Sequence, residues 1–404
     1  MGLPECGDAE EGHALTTSAF EPGRPAGTDL SNWREAPQNR WTFRHAGELV
    51  PSARIRAAAQ SESEPDAPTK TLDGLEVELP GGARSDLAAL LFASRADELL
   101  VWKSGRPAYH WTAPDSDPRE PHLLFSVSKS ITALLAGILE GQGRLDPQAP
   151  VTTYVPEMAA SPAYGSASVR DVLDMAVSLE FEESYLDPGG AFARYRRAML
   201  WNPCPPGAAE GDLLTFLATL PREAHPHGMR YHYASPNADL LGIIVERAGG
   251  APYATLLQAL LWQPMGARDD AFVTLDRRGA ARAAGGVSAT ARDLARLGDL
   301  VRRGGGGIVP AAFVGDLWRG GSREVWLAAN DPFESMPDAR YRSQWYAVGD
   351  PDDCLCAIGI HGQWIFINPA RETVIVRLAS QALPLDDAIK LATVRSFGVI
   401  ARAL

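Results

Sequence analysis

Apolar and polar positions alternate along this chain in two ways, and the switch between them divides it into regions. From about residue 83, SDLAALLFASRA carries apolar residues at helical spacing, whereas ELLVWKSGRPAYHW reads as two strands joined by a Lys-Ser-Gly-Arg turn. The apolar run SVSKSITALLAGILEGQGRL then predicts a helix ending at Gly141 or Gly143. From 150 to about 280, helical patterns broken by Pro and Gly dominate: SVRDVLDMAVSL, GDLLTFLATL, NADLLGIIVERAG and PYATLLQALLW. SATARDLARLGDLVRRGGGG predicts a further helix leaving through a glycine run. The last part turns to strands (CLCAIGIHG, QWIFINPA, ETVIVRLAS), and DAIKLATVRSFGVIARAL predicts a closing helix.

Strands at both ends and helices between them imply an α/β (α+β) fold, in which one antiparallel sheet is built from early and late segments and carries an inserted helical lobe. The expected boundaries are an arm over 1–75 packed on the core, an α/β lobe formed by 76–150 and 281–404, and a mostly helical lobe over 151–280. The arm is rich in Pro, Gly, Ala, Ser and acidic residues, so extended loops are expected there, with Trp33, Trp41 and Phe43 tacking it down.

Composition narrows the function classes. Of 404 residues 45% are hydrophobic and 22% charged, which suits a globular enzyme rather than a disordered chain. A formal net charge of −12 argues against a nucleic-acid partner, because that affinity comes from cations neutralising phosphates. No run of about 18 apolar residues predicts a membrane span, and MGLPECGDAEEGHALTTSAF lacks the apolar core of a secretory signal. Cys354 and Cys356 are spaced C-x-C with no second Cys/His pair at zinc spacing, so no metal site is expected. With Cys6 and Cys204 they read as reduced thiols, which predicts a cytoplasmic protein.

The candidate chemistry begins at Ser126-Val127-Ser128-Lys129, the start of the apolar helix. Three-residue spacing puts Ser126 and Lys129 on one helical face. The first turn also offers free backbone N–H groups and partial positive charge to an oxyanion. A lysine beside a serine acts as base only when neutral, and the apolar SITALLAGIL surroundings favour that state. Taken alone, the motif fits a helix start with a surface lysine equally well. Downstream, Tyr233 stands just before the helix of ADLLGIIVERAGG, where its phenol could relay protons or simply cap the helix. Gly359-Ile360-His361-Gly362-Gln363 could present a strand N–H to a carbonyl oxygen, or could be a tight bend. His225-Pro226-His227 reads as a surface loop.

SVSK, YAS and GIHG, in that order, resemble the three motifs of the serine β-lactamase/penicillin-binding superfamily. More narrowly, NRWTFRHAGELVPSA, GRLDPQAPVTTYVPE, SYLDP, GGVSATARDLAR, SQWY, IGIHGQ and NPARETVIVRLAS resemble the 6-aminohexanoate-dimer hydrolases along most of the chain. The resemblance implies Ser126 as acylated nucleophile, Lys129 as its activator and Tyr233 as the shuttle of a proton to the leaving group. It implies an oxyanion hole from the N–H groups of Ser126 and Ile360, and Tyr185 on the cleft lip against the substrate amide. No cofactor is implied, and the partner is a small linear amide or short-chain ester. A homodimer is compatible with the sequence.

The departures lie in the substrate pocket. Ser235 stands where lactamases usually carry Asn, and His361 lies near the strand that would hold Lys-Thr-Gly. Where the amide hydrolases carry an acid that holds the substrate ammonium, ungapped counting finds Arg196. Ala284 replaces an Asn before GGVS, and Tyr346 replaces a Trp after Gln-Trp. These positions are expected to contact substrate with altered selectivity. A carboxylesterase or peptidase of the same fold, and a catalytically silent binding protein, are the alternatives.

Overall fold

A computed structural model describes residues 23–58, 70–207, 211–329 and 336–404. Among these the strands run, in chain order, β1 Ser52–Ile55, β2 Glu76–Glu78, β3 Arg84–Asp86, β4 Ala96–Lys103, β5 Arg106–Thr112, β6 His122–Leu123, β7 Ala271–Thr274, β8 Val287–Ala289, β9 Arg340–Arg342, β10 Trp345–Ala347, β11 Leu355–Gly359, β12 Gln363–Asn368 and β13 Thr373–Ala379.

In β4 and β12 successive apolar side chains point to opposite faces, and both faces are buried. Leu99 and Val101 join one apolar cluster with Trp364 and Phe366; Leu100 and Trp102 join another with Ile365 and Ile367. A sheet apolar on both sides needs helices on both sides. The antiparallel order is β5-β4-β13-β12-β11-β10-β9, so early and late segments do interleave. The closing helix Asp387–Ala403 covers one face, its Phe397 ring 5.7 Å from Trp364 and 5.3 Å from Phe366. Helices Val127–Gly141 and Ala291–Arg302 cover the other.

A second sheet, β1-β7-β8-β6, was not expected. β7 lies inside the stretch read as helical, and β1 belongs to the arm, so the arm is a structural strand as well as a wrapping loop. Both strands are only four residues long and take their stability from pairing across the chain, which no local pattern carries. Trp33 and Phe43 are fully buried. Trp41 is partly exposed and stacks on His45 at 4.0 Å. Arg40 clamps the arm to buried Asp97 at 2.9 Å.

The helix expected over SVRDVLDMAVSL stops at Leu173. Its start is local, a capping box between Ser168 and Asp171. Its end is tertiary: Asp174 is drawn to Arg342 at 2.6 Å, Gln344 donates to the Leu173 carbonyl at 2.9 Å, and Met175 turns to φ +53. The chain from there to Gly190 is irregular and forms a wall of the main cavity.

Candidate active site

The β6–β8 pair delivers the chain to Ser126. Leu124 N–H bonds the Val287 carbonyl at 2.8 Å, and Phe125 then takes φ +46, sparsely allowed for an aromatic residue. Phe125 is held there by edge contacts with Phe43 at 4.8 Å and Trp201 at 6.0 Å. The next residue, Ser126, is the N-cap of helix Val127–Gly141. Lys129 follows one turn later and is 1% exposed.

The Lys129 ammonium donates to Ser126 Oγ at 2.8 Å, Ser235 Oγ at 2.9 Å and the Ala284 carbonyl at 2.8 Å. Burial nonetheless pulls its pKa from 10.5 to about 7; the Arg282 charge acts in the same sense, while Glu183 and Asp239 oppose it. Near neutral pH a large fraction of Lys129 is therefore an uncharged amine touching the Ser126 hydroxyl.

Tyr233, half-buried before helix Ser235–Gly249, lines the main cavity beside Ser126, and the two hydroxyls interact. Its ring centroid lies 5.0 Å from Lys129 Nζ. Burial, then Tyr346 and Glu183, push its pKa well above 10, so the phenol keeps its proton. Serine hydroxyl, neutral amine and protonated phenol meet at one point, an arrangement that can accept a proton from a nucleophile and return it to a leaving group.

Strand β11 closes the other side. Its pairing with β12 ends at Gly359–Gln363, leaving Ile360 beyond the ladder. A Cβ on Gly359 would stand 2.5 Å from the Leu124 carbonyl oxygen, so only glycine lets this strand lie against the chain entering Ser126. Ser126, Tyr233, Gly359 and Ile360 share a cavity of about 900 Å³, which Tyr185 and Tyr346 also line. A much smaller cavity of about 20 Å³ also touches Ser126 and Ile360, lined by Glu183, Arg196, Ser235 and Ala284 among others.

His361, expected among the substrate contacts, lines neither cavity. It forms the β11–β12 turn at φ +60, is 3% exposed, and its Nδ1 bonds the Gln381 carbonyl at 2.7 Å. Burial brings its pKa to about 4, so it stays neutral. Tyr185 donates its hydroxyl to Glu183 at 2.7 Å. Tyr346 pairs with Tyr231 at 3.2 Å.

Three charged groups behind the site went unmarked in the sequence. Asp239 accepts from the Ala284 N–H at 2.7 Å and pairs with the Arg282 guanidinium, which fixes the carbonyl that Lys129 uses. Glu183 accepts from the Ser235 backbone N–H and so ties the substrate wall to Lys129's other acceptor. An acid amid the apolar residues of NADLLGII is a signal that could have flagged Asp239; nothing local marks Arg282 or Glu183.

Comparison with known proteins gives the family of the chain. The β-lactamase family model matches residues 79–398. The 6-aminohexanoate-dimer hydrolase of Paenarthrobacter ureafaciens is 38% identical over 365 residues, covering 89% of this chain and 90% of that protein. Esterase EstB of Burkholderia gladioli is 34% identical over 197 residues, 45% of this chain and 44% of that one. A solved structure from Bacillus anthracis, assigned as a 6-aminohexanoate-dimer hydrolase, superposes with a TM-score of 0.84 at 24% identity over 93% of this chain and 97% of that chain. A penicillin-binding protein homologue from Pyrococcus abyssi shares the fold with a TM-score of 0.58 at 18% identity, covering 77% and 76% of the two chains. Fold, sheet order and sequence relatedness together place the chain in the β-lactamase family, as a serine hydrolase of the amidase and esterase kind.

Proposed function

We propose that Ser126 attacks the carbonyl of a linear amide or short-chain ester and carries the acyl group as an ester. The Ser126 Oγ–carbon bond forms as the Ser126 proton passes to neutral Lys129. The carbon–nitrogen or carbon–oxygen bond then breaks, and the leaving atom takes its proton from Tyr233, whose phenolate recovers one from the Lys129 ammonium. Water repeats the sequence on the acyl-enzyme and releases the acid, restoring Ser126. The N–H groups of Ser126 and Ile360 bind the oxyanion in both halves. Tyr185, Tyr346, Ser235, Ala284 and Arg196 shape the substrate pocket. The observation that carries this reading is the 2.8 Å contact of buried Lys129 with Ser126, with the Tyr233 phenol on the open side.

Aminohexanoate oligomers are the amide type suggested by the relative's name, and esters the type suggested by EstB. We also carry forward the division into an arm, an α/β lobe and a helical lobe, with a cytoplasmic location and a homodimer. The test of the mechanism is labelling by a fluorophosphonate probe. Adduct mapped to Ser126 and lost in Ser126→Ala supports it; labelling that persists in Ser126→Ala defeats it. Parallel assays with p-nitrophenyl acetate and the linear aminohexanoate dimer then separate esterase from amidase turnover.

A further inference from the structure

Tyr233 and Ser235, two residues apart, belong to different cavities. Tyr233 lines the large cavity and not the small one, whereas Ser235 lines the small cavity and not the large one. Both cavities reach Ser126 and Ile360. The small one, at about 20 Å³, has the size of a single water and is too small for an acyl chain. Its lining carries the groups a water needs. Arg282 is 4% exposed and gives Nη1 to Asp239 and Tyr195, while its Nε is buried without a hydrogen-bond partner. Buried donors of this kind are ordinarily satisfied, by protein or by ordered water. Glu183 lines the same cavity. Its two oxygens accept from the Ser235 N–H and from the Tyr185 hydroxyl, and each has a lone pair left for another bond. The Ser235 hydroxyl completes the set.

Lys129 connects this cavity to the reaction. Its Nζ touches Ser126 Oγ at 2.8 Å, Ser235 Oγ at 2.9 Å and the Ala284 carbonyl at 2.8 Å. Once Ser126 is acylated, its Oγ is an ester oxygen without a proton, and the Ala284 carbonyl has none to give. Of these three neighbours only the Ser235 hydroxyl can then donate to the neutral amine, which leaves the Ser235 oxygen free to accept from a water. We infer that the small cavity seats the hydrolytic water and that Ser235 relays its proton to Lys129. This rests on the acyl-enzyme reading above and gives its second half a site of its own. The water oxygen bonds the acyl carbon as one of its O–H bonds breaks; Ser235 Oγ takes that proton and passes its own to Lys129 Nζ. The oxyanion then collapses, the bond from carbon to Ser126 Oγ breaks, and the Lys129 ammonium returns the proton to Ser126. Arg282, with Arg34 and Arg196 on the same lining, places positive charge beside the oxygen that is losing its proton, and Glu183 accepts the water's second hydrogen. Leaving group and water thus use different proton carriers, Tyr233 in the large cavity and Ser235 in the small one.

The test is burst kinetics with p-nitrophenyl acetate. In Ser235→Ala, acetyl transfer to Ser126 should stay within about tenfold of wild type and release p-nitrophenol in an amount equal to the enzyme, while the steady state that follows falls by about 10² or more. Intact-protein mass spectrometry should find the acetyl group held on Ser126. Ser235→Thr, which keeps a hydroxyl, should recover much of the steady-state rate. Hydroxylamine, which attacks without first giving up a proton, should discharge the acetyl-enzyme of Ser235→Ala. A wild-type steady state in Ser235→Ala overturns the relay, and so does a parallel loss of burst and steady state, the mark of a residue that only holds Lys129 in place. The wild-type enzyme gives an independent reading. Discharge of its acetyl-enzyme in mixtures of H2O and D2O should depend on deuterium fraction along a curve, because two protons move together; a straight line overturns the relay. No acetyl adduct on Ser126 in any variant, with hydrolysis intact in Ser126→Ala, overturns the acyl-enzyme itself and the water site with it.

Discussion

Lys129 sets the pH at which this enzyme works, and the effect can be sized. Moving the amine from 10.5 to about 7 costs its ammonium form about 5 kcal/mol at roughly 1.4 kcal/mol per pH unit. The source is burial, only partly offset by the Glu183 and Asp239 charges. At pH 7 an ordinary lysine is neutral in about one molecule in three thousand; Lys129 is neutral in about half. The assay is kcat/KM for p-nitrophenyl acetate between pH 5 and 9, since that substrate carries no titrating group. The rate should climb about tenfold per pH unit below pH 7 and level off above it. Glu183 is the largest charge holding the ammonium in place, so Glu183→Gln should shift the midpoint to lower pH. A profile flat from pH 5.5 to 8.5, or a midpoint above 9, would refute the neutral-amine mechanism.

Three further outcomes follow from the same geometry. Tyr233→Phe removes the proton donor, so amide turnover should fall by about 10² to 10⁴ while p-nitrophenyl acetate, whose leaving group needs no proton, falls far less; equal losses would contradict the role. Gly359→Ala sets a methyl 2.5 Å from the Leu124 carbonyl, which should push β11 outward and cut kcat through the displaced Ile360 N–H, while thermal unfolding remains cooperative; wild-type kcat would argue against that N–H. In Lys129→Met the stability curve should change shape. The folded state binds fewer protons than the unfolded one between about pH 7 and 10.5, so native stability gains up to about 1.4 kcal/mol per pH unit across that window. The variant should lose that slope in urea titrations at pH 7, 8 and 9, and an unchanged slope would mean that Lys129 is not the group responsible.

Much of the fold is legible locally because its signals are local. Strands β4, β12 and β13 carry long buried runs, and the helices Val127–Gly141 and Ser235–Gly249 end at glycines, so short-range pattern and burial agree there. Ser126 and Lys129 are legible for the same reason: three-residue spacing on a helix is itself a distance. What the sequence could not hold is whatever depends on two distant segments meeting. β1 and β7 exist only because they pair across more than two hundred residues, and the helix at Leu173 stops because Arg342 and Gln344 claim its end. His361 looked like a cleft residue by its neighbours in sequence, yet the β11–β12 turn rotates it into the core. The electrostatics were settled at the same level. Lysine chemistry supplies an amine, but only burial against Ser235 and Ala284, among Glu183, Asp239 and Arg282, fixes how often it is neutral, because field strength depends on through-space distance and solvent exclusion rather than on order along the chain.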